Sequence, residues 1–129
     1  MKKEAHKVRQ TFEELSLVKR VLELPYLLGA LEVDKHKIYA SNFKMKSVYV
    51  DYLDGTQKKI ALEMYKSKQR LKEHHIKIID EVRSELSLTV DYSVRGYIHK
   101  MTLLWSKVKV DVTLMLTEHM NVDITELPT

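Results

Sequence analysis

The side chains that could do chemistry in this chain are six histidines, a line of cations and a few neighbouring carboxylates. His74 and His75 are adjacent, and on a helix neighbours point about 100° apart, so they cannot share one ion from a single face. Neither belongs to an HExxH arrangement, in which two imidazoles and a general base line up one turn apart. His99 and His119 lie far along the chain, and nothing in their spacing requires them to converge. Cysteine is absent, which excludes disulfides, thiolate zinc sites and cysteine nucleophiles. Asp51 with Asp54, and Asp80 with Glu81, lack the partner groups that acid–base work needs. There is no GxSxG, P-loop or GxGxxG, and three isolated glycines cannot build a phosphate-cradling loop. These residues predict no catalytic site, no metal and no cofactor, and hence a protein that is not an enzyme.

The cations are better organised. Lys59, Lys66, Arg70 and Lys77 fall on nearly one line of a helix and span about 27 Å at 1.5 Å per residue, enough to follow a phosphate backbone. Glu63, Glu73 and Glu81 are interleaved, and Glu73 to Lys77 is a favourable i,i+4 pair, so the same pattern suits a solvated face. Lys68 and His75 project from the apolar side of that helix among Met64, Leu71, Ile78 and Val82. They either flank a buried stripe, with the Lys68 ammonium reaching water, or form a polar contact in a dimer or partner groove. Seven tyrosines and Trp105 could stack on bases. In strands, Tyr49, Tyr52, Tyr92 and Tyr97 are cross-strand packing, and Trp105 anchors the core.

The element that must carry the cations is a long amphipathic helix from Gln57 to Glu85, opening after the turn pair Asp54-Gly55. Ile60, Met64, Leu71, Ile78, Ile79, Val82 and Leu86 form its apolar stripe. A second amphipathic helix is expected from Lys3 to Leu24, through Ala5, Val8, Phe12, Leu15, Val18 and Leu22, with Pro25 as its stop. Residues 26–40 are compatible with strand or with a short helix led by Pro25. Residues 43–53, with Tyr, Val and Phe alternating, predict short strands. The last third carries two competing periods. Leu86, Leu88, Val90, Tyr92 and Val94 alternate with polar residues, as do Val108, Val110, Val112, Leu114 and Leu116. Yet Val90, Val94, Tyr97, Met101, Trp105, Val108, Val112 and Met115 also fit a helical stripe. Their β-branched content favours strands over 86–94 and 106–117, with a turn at Gly96. The resulting fold class is α+β: an N-terminal helix and a long central helix packed on a small antiparallel sheet, with an all-α helical bundle as the alternative.

A length of 129 residues, 44% hydrophobic and 31% charged, suits one domain spanning 1–129 with its own core. The net charge of +4 is mild, and residues 57–85 hold eight Lys/Arg against five Asp/Glu. It permits nucleic acid or an acidic partner without requiring either. No apolar run follows the basic start, so no secretory signal is expected, and no stretch approaches the roughly 20 apolar residues that span a bilayer. These features predict a cytoplasmic protein without membrane contact. Because a small domain buries a limited core, a homodimer or a stable protein partner is expected, with a regulatory or accessory role. Direct nucleic-acid binding through the 59-66-70-77 stripe is the alternative, and a small-molecule pocket between helix and sheet is a third.

The stretch SLTVDYSVRGYIHKM (87–101) resembles the core of the YolD-like proteins of Gram-positive bacteria and phages. In that family a strand ending in tyrosine precedes a glycine turn and an isoleucine-bearing strand, which places Val90, Tyr92, Gly96 and Ile98 at matching positions. The resemblance covers about an eighth of the chain. The family's second glycine and its N-terminal motif are absent, and no functional residue carries over.

Overall fold

The structure, a computed structural model, describes residues 10–124. Helix α1 spans Phe12–Tyr39 and α2 spans Lys46–Glu73; a three-stranded antiparallel meander follows, β1 (Ile76–Arg83), β2 (Ser87–Val94) and β3 (Tyr97–Leu104); α3 (Trp105–Met120) closes the fold. The α+β class expected from the sequence is therefore the fold of the protein, although several boundaries differ.

Helix α1 begins where a capping box places it. The Thr11 hydroxyl accepts from the Glu14 N–H and the Glu14 carboxylate accepts from the Thr11 N–H, both at 3.0 Å. The expected start at Lys3, with Ala5 and Val8, lies outside the described residues. Pro25 does not stop the helix, contrary to expectation; it sits inside α1 with its ring exposed. A proline there costs a backbone hydrogen bond. Burial on both sides of it outweighs that cost: Leu17, Val18, Val21 and Leu22 pack toward the sheet, and Leu24, Leu27 and Leu31 pack against Ile60 and Met115. Residues 26–39 are therefore helical.

The strands expected over 43–53 are the first turns of α2. Asp54-Gly55 is not a turn but lies within that helix. Helix α2 in turn ends at Glu73 and does not reach Glu85. His74 caps it and His75 takes a left-handed φ of 58°, which redirects the chain into β1. Ile76 and Ile78, members of a β-branched run, then alternate inward opposite Val94 and Tyr92. The expected strand over 86–94 is β2, whose buried and half-buried residues alternate along its length. The expected turn at Gly96 is a two-residue hairpin in which Arg95 (φ 51°) and Gly96 (φ 90°) both have positive φ.

Residues 106–117 form helix, not strand. The Trp105, Val108, Val112 and Met115 stripe packs on both cores, leaving Leu114 exposed and Val110 half-buried. Tertiary packing on α1 overrides the β-preference of this valine-rich segment. Trp105 does pack against the core: its indole N–H donates to the Ser84 carbonyl at 2.8 Å, and its ring meets Tyr26 edge-on at 5.0 Å. The sheet and α3 cover only part of the α1–α2 hairpin, whose helices are each about 42 Å long by their residue count. From Glu32 to Gly55 no residue is buried.

Candidate interaction surfaces

Lys59, Lys66 and Arg70 come together on one side of α2, as their spacing predicts. They line a groove of about 610 Å³ that also includes Glu13 and Arg20 of α1 and His119 of α3. Lys77 does not join them, because the helix ends at Glu73; it stands on β1 opposite Ser93. The expected Glu73–Lys77 helical pair is lost for the same reason. Within the groove Arg70 pairs with Glu13 at 2.8 Å, and Glu63 accepts from Arg20 and meets His119 Nε2 at 2.7 Å. Burial pushes the Glu63 carboxyl up, but those two hydrogen bonds outweigh it and hold the group below its ordinary value. Lys59 and Lys66 form no ion pair among the described residues. The groove therefore keeps unbalanced positive charge.

Lys68 and His75 separate. Lys68 lines a second groove, about 880 Å³, between α1 and β1 with Pro25, Tyr26, Gly29, Ile78 and Arg83. His75 is exposed in the turn after α2 and is not part of that lining. The Arg83 guanidinium lies 5.2 Å from the Tyr26 ring centre, so this groove is flanked by a cation already placed on an aromatic face.

Two buried carboxyls stand in opposite electrostatic situations. Glu14, buried at the start of α1, accepts from Arg95 at 2.8 and 3.2 Å and meets His74 Nδ1 at 2.8 Å. The Arg95 hydrogen bonds, reinforced by the Thr11 N–H and His74, outweigh burial and lower its pKa to about 2. It ties the α1 start, the α2 end and the β2–β3 turn to one charge. Glu23, buried between α1 and α3, has no such cation. Burial first, and then the hydrogen bond to Asp111, raise its pKa to about 8. Asp111 takes the ionised role, held by Lys19 at 3.0 Å and Lys107 at 3.1 Å. Both sites join elements of the fold, and Glu23 and Asp111 also line a groove of about 280 Å³ with Ser16, Lys19, Arg20 and Glu118. Among the described residues no group of three His, Asp or Glu could hold a metal ion.

The far end of the α1–α2 hairpin is different in kind. Tyr39, Phe43 and Met45 are 69%, 55% and 55% exposed, and Val48, Tyr49 and Tyr52 are each about half exposed. Tyr49 and Tyr52 were expected to pack across strands; on a helix with no sheet beside it they have no such partner. Met45, Val48, Tyr49 and Tyr52 follow i, i+3, i+4, i+7 spacing, the mark of a helical face that packs on something. Lys46 turns back to cap α1, its ammonium 3.1 Å from the carbonyls of Tyr39 and Ser41. Residues 35–50 contain four lysines and no Asp or Glu. That run was legible in the sequence, and so was the helical spacing once strands are set aside.

No described helix is long and apolar enough to cross a membrane. The chain belongs to the YhjD protein family, whose family model matches residues 9–124. This match corrects the resemblance to the YolD-like proteins, because 87–101 lies inside it. What those residues share with that family is what a two-residue hairpin demands: inward Val90 and Tyr92, and a glycine at positive φ. Ile98, the fourth matching position, is exposed on the outer face. Neither the curated proteins nor the solved structures contain a match to the chain.

Proposed function

We propose that this member of the YhjD family is a small cytoplasmic accessory or regulatory protein that acts by binding another protein and catalyses nothing. One observation carries the reading: a helical hairpin extends past its own core and presents an unburied apolar stripe with Phe43 and Tyr39 beside it. Monomeric proteins seldom expose contiguous apolar patches of several large side chains, and such patches mark interaction sites. The absence of nucleophile, base and metal constellations from the sequence supports the same reading. The partner is a second protein chain, either another copy or a different protein.

The experiment is affinity capture from the native host with and without nuclease, comparing the wild-type chain with Phe43→Ser/Tyr49→Ser. A protein retained after nuclease and lost with the variant supports the reading. Identical capture by both forms removes it.

A second reading rests on the groove of Lys59, Lys66 and Arg70, where Lys59 and Lys66 are unpaired among the described residues. Contact with nucleic acid there weakens steeply as salt rises, whereas an apolar protein interface does not. Charge reversal at Lys59 and Lys66 that leaves DNA and RNA binding unchanged eliminates this alternative.

A further inference from the structure

We infer that β3 is a docking edge for a second copy of this chain, so that two sheets join edge to edge through an antiparallel pair of β3 strands. The sheet has two edges, and they are finished differently. β1 carries the devices that blunt an edge. A register shift between Ile78 and Asp80 interrupts its ladder, and Glu81 and Arg83, opposite the buried Val90 and Leu88, put charges on its helix-facing side. β3 has neither device. Its ladder with β2 runs without a shift from Tyr97 to Leu104. Its helix-facing residues, Tyr97, His99, Met101 and Leu103, include no carboxylate, lysine or arginine. Its one charge, Lys100, faces outward and pairs with Asp91 at 2.9 Å. Among the described residues no strand pairs with its outer edge. Alternate residues there keep a backbone N–H and C=O that another strand can pair in a regular ladder.

The sequence of β3 then selects the occupant, because the strand is complementary to itself. Residues that face each other across an antiparallel pair point to the same side of the sheet. A two-fold axis at Met101 sets Met101 against the partner's Met101 and His99 against the partner's Leu103. On the outer face it sets Lys100 against the partner's Thr102 and Ile98 against the partner's Leu104. The last pair matters most, since Ile98 and Leu104 are 66% and 55% exposed in the single chain. Moving the axis to Lys100 sets lysine against lysine and leaves Leu104 unmatched. Moving it to Thr102 sets Lys100 against the partner's Leu104 and leaves Ile98 unmatched. The favoured register spans residues 98–104 and stops where α3 begins at Trp105, so it uses no residue of that helix. Each contact occurs twice, as in any two-fold interface. The hairpin end contributes nothing to it, and the dimer displays two such ends.

The test is light scattering of the full chain with paired substitutions at the facing positions. The wild type is expected to be a dimer at micromolar concentration. Ile98→Lys/Leu104→Lys sets like charges opposite each other twice and is expected to raise the dissociation constant at least about tenfold. Ile98→Lys/Leu104→Glu sets lysine against glutamate twice and is expected to bring it back to within about threefold of wild type. The two positions lie about 20 Å apart along one strand, so only pairing between copies distinguishes these variants. A second measurement serves if a charged variant does not fold. The chain has no cysteine, and facing Cα atoms in an antiparallel pair are about 4.5–5.5 Å apart, within reach of a disulfide. Met101→Cys is expected to give a linked dimer on mild oxidation, whereas Val82→Cys on β1, at a more exposed position, is expected to stay monomeric. A chain that is monomeric throughout the micromolar range overturns the inference. So does a dimer that tolerates both charged variants equally, a dimer that Phe43→Ser/Tyr49→Ser dissolves, or cross-linking at Val82 with none at Met101. Pairing of β3 with an extended peptide of another protein, while the chain alone stays monomeric, also overturns it and leaves the proposed protein-binding role intact.

Discussion

The α1–α2 hairpin has two ends built from similar materials and finished in opposite ways. At the near end Glu14 is buried under Arg95, His74 and the Thr11 N–H, and the fully buried Tyr92 donates its hydroxyl hydrogen to Gln10 at 2.8 Å. At the far end Tyr39, Phe43, Tyr49 and Tyr52 stand about half or more in water, and the polar contacts include the Lys46 cap on the Tyr39 and Ser41 carbonyls and the Lys35–Asp54 pair between the helices. The difference is one of cover. The sheet and α3 reach one part of the hairpin only, so stability is concentrated where the chain folds back on itself and apolar contact is left unused where it does not. Substitutions should therefore divide: near-end changes move the unfolding free energy, and far-end changes move recognition.

The largest expected effect comes from the charge that joins three elements. Glu14→Ala leaves Arg95 and His74 without their shared acceptor and should lower stability by about 3 kcal/mol, read as a fall in the denaturant midpoint. The pH dependence has a definite sign. Arg95, Thr11 and His74 hold the folded carboxyl at about 2 against an ordinary value of 4.5. Its contribution is thus complete above pH 4.5 and is lost as pH falls toward 2. With allowance for water around the partly exposed Arg95, that loss is about 2 kcal/mol. If Glu14→Ala keeps the same acid limb as the wild type, this carboxylate is not its source.

Glu23 should respond in the opposite direction. Its folded pKa of about 8 lies above the ordinary 4.5, because burial and then the Asp111 contact disfavour its charge. Its contribution is fully present below pH 4.5 and disappears as pH rises through 8. Glu23→Gln keeps the shape, and its amide can still donate to Asp111, but it has no proton to lose. The variant should be more stable than wild type by about 2 kcal/mol at pH 8 and nearly equal at pH 5. Parallel stability curves across that window would show that Glu23 is not the titrating group.

How much of this was legible follows from which signals compete. The β2 strand and its turn at Gly96 are readable because alternation, β-branched content and glycine agree. The end of α2 is not, because Ile78, Ile79 and Val82 extend the helical period of Ile60, Met64 and Leu71. The break is His75 at positive φ, which its residue type does not announce, and the β-branched Ile76, Ile78, Ile79 and Val82 after it fit a helical period as well as a strand. Residues 106–117 mislead in reverse, since valines alternate while Trp105, Val108, Val112 and Met115 hold the packed face. Pro25 and Asp54-Gly55 look like boundaries because local propensity says so, and packing among Leu24, Leu27, Leu31 and Ile60 carries the helices through them. Of the cation line, Lys59, Lys66 and Arg70 line one groove, and Lys77 leaves it because the helix ends at Glu73. The hairpin end went unread because its tyrosines look the same whether they pair across strands or wait for a partner.

Gly55 sharpens the comparison at smaller scale. It lies in the uncovered half of α2, and a Cβ there meets nothing within 4 Å. Gly55→Ala should stabilise the chain by about 0.5–1 kcal/mol through helix propensity alone. Gly96→Ala has the same open surroundings but a φ of +90°, so it should destabilise by about 1 kcal/mol. Equal shifts at the two positions would mean that α2 does not run through residue 55.

The smallest expected change in stability is also the most discriminating. Phe43→Ser/Tyr49→Ser removes two rings that are already half in water and enclose a shallow notch. Little burial is lost, so the unfolding free energy should move by less than about 0.5 kcal/mol. If the two rings serve recognition, this variant melts like wild type and yet loses its partner. A loss of about 2 kcal/mol or more in chemical denaturation would instead place these rings in a core, covered by another part of the molecule. The two ends of the hairpin would then be alike, and the division between stability and recognition would fail at its most exposed point.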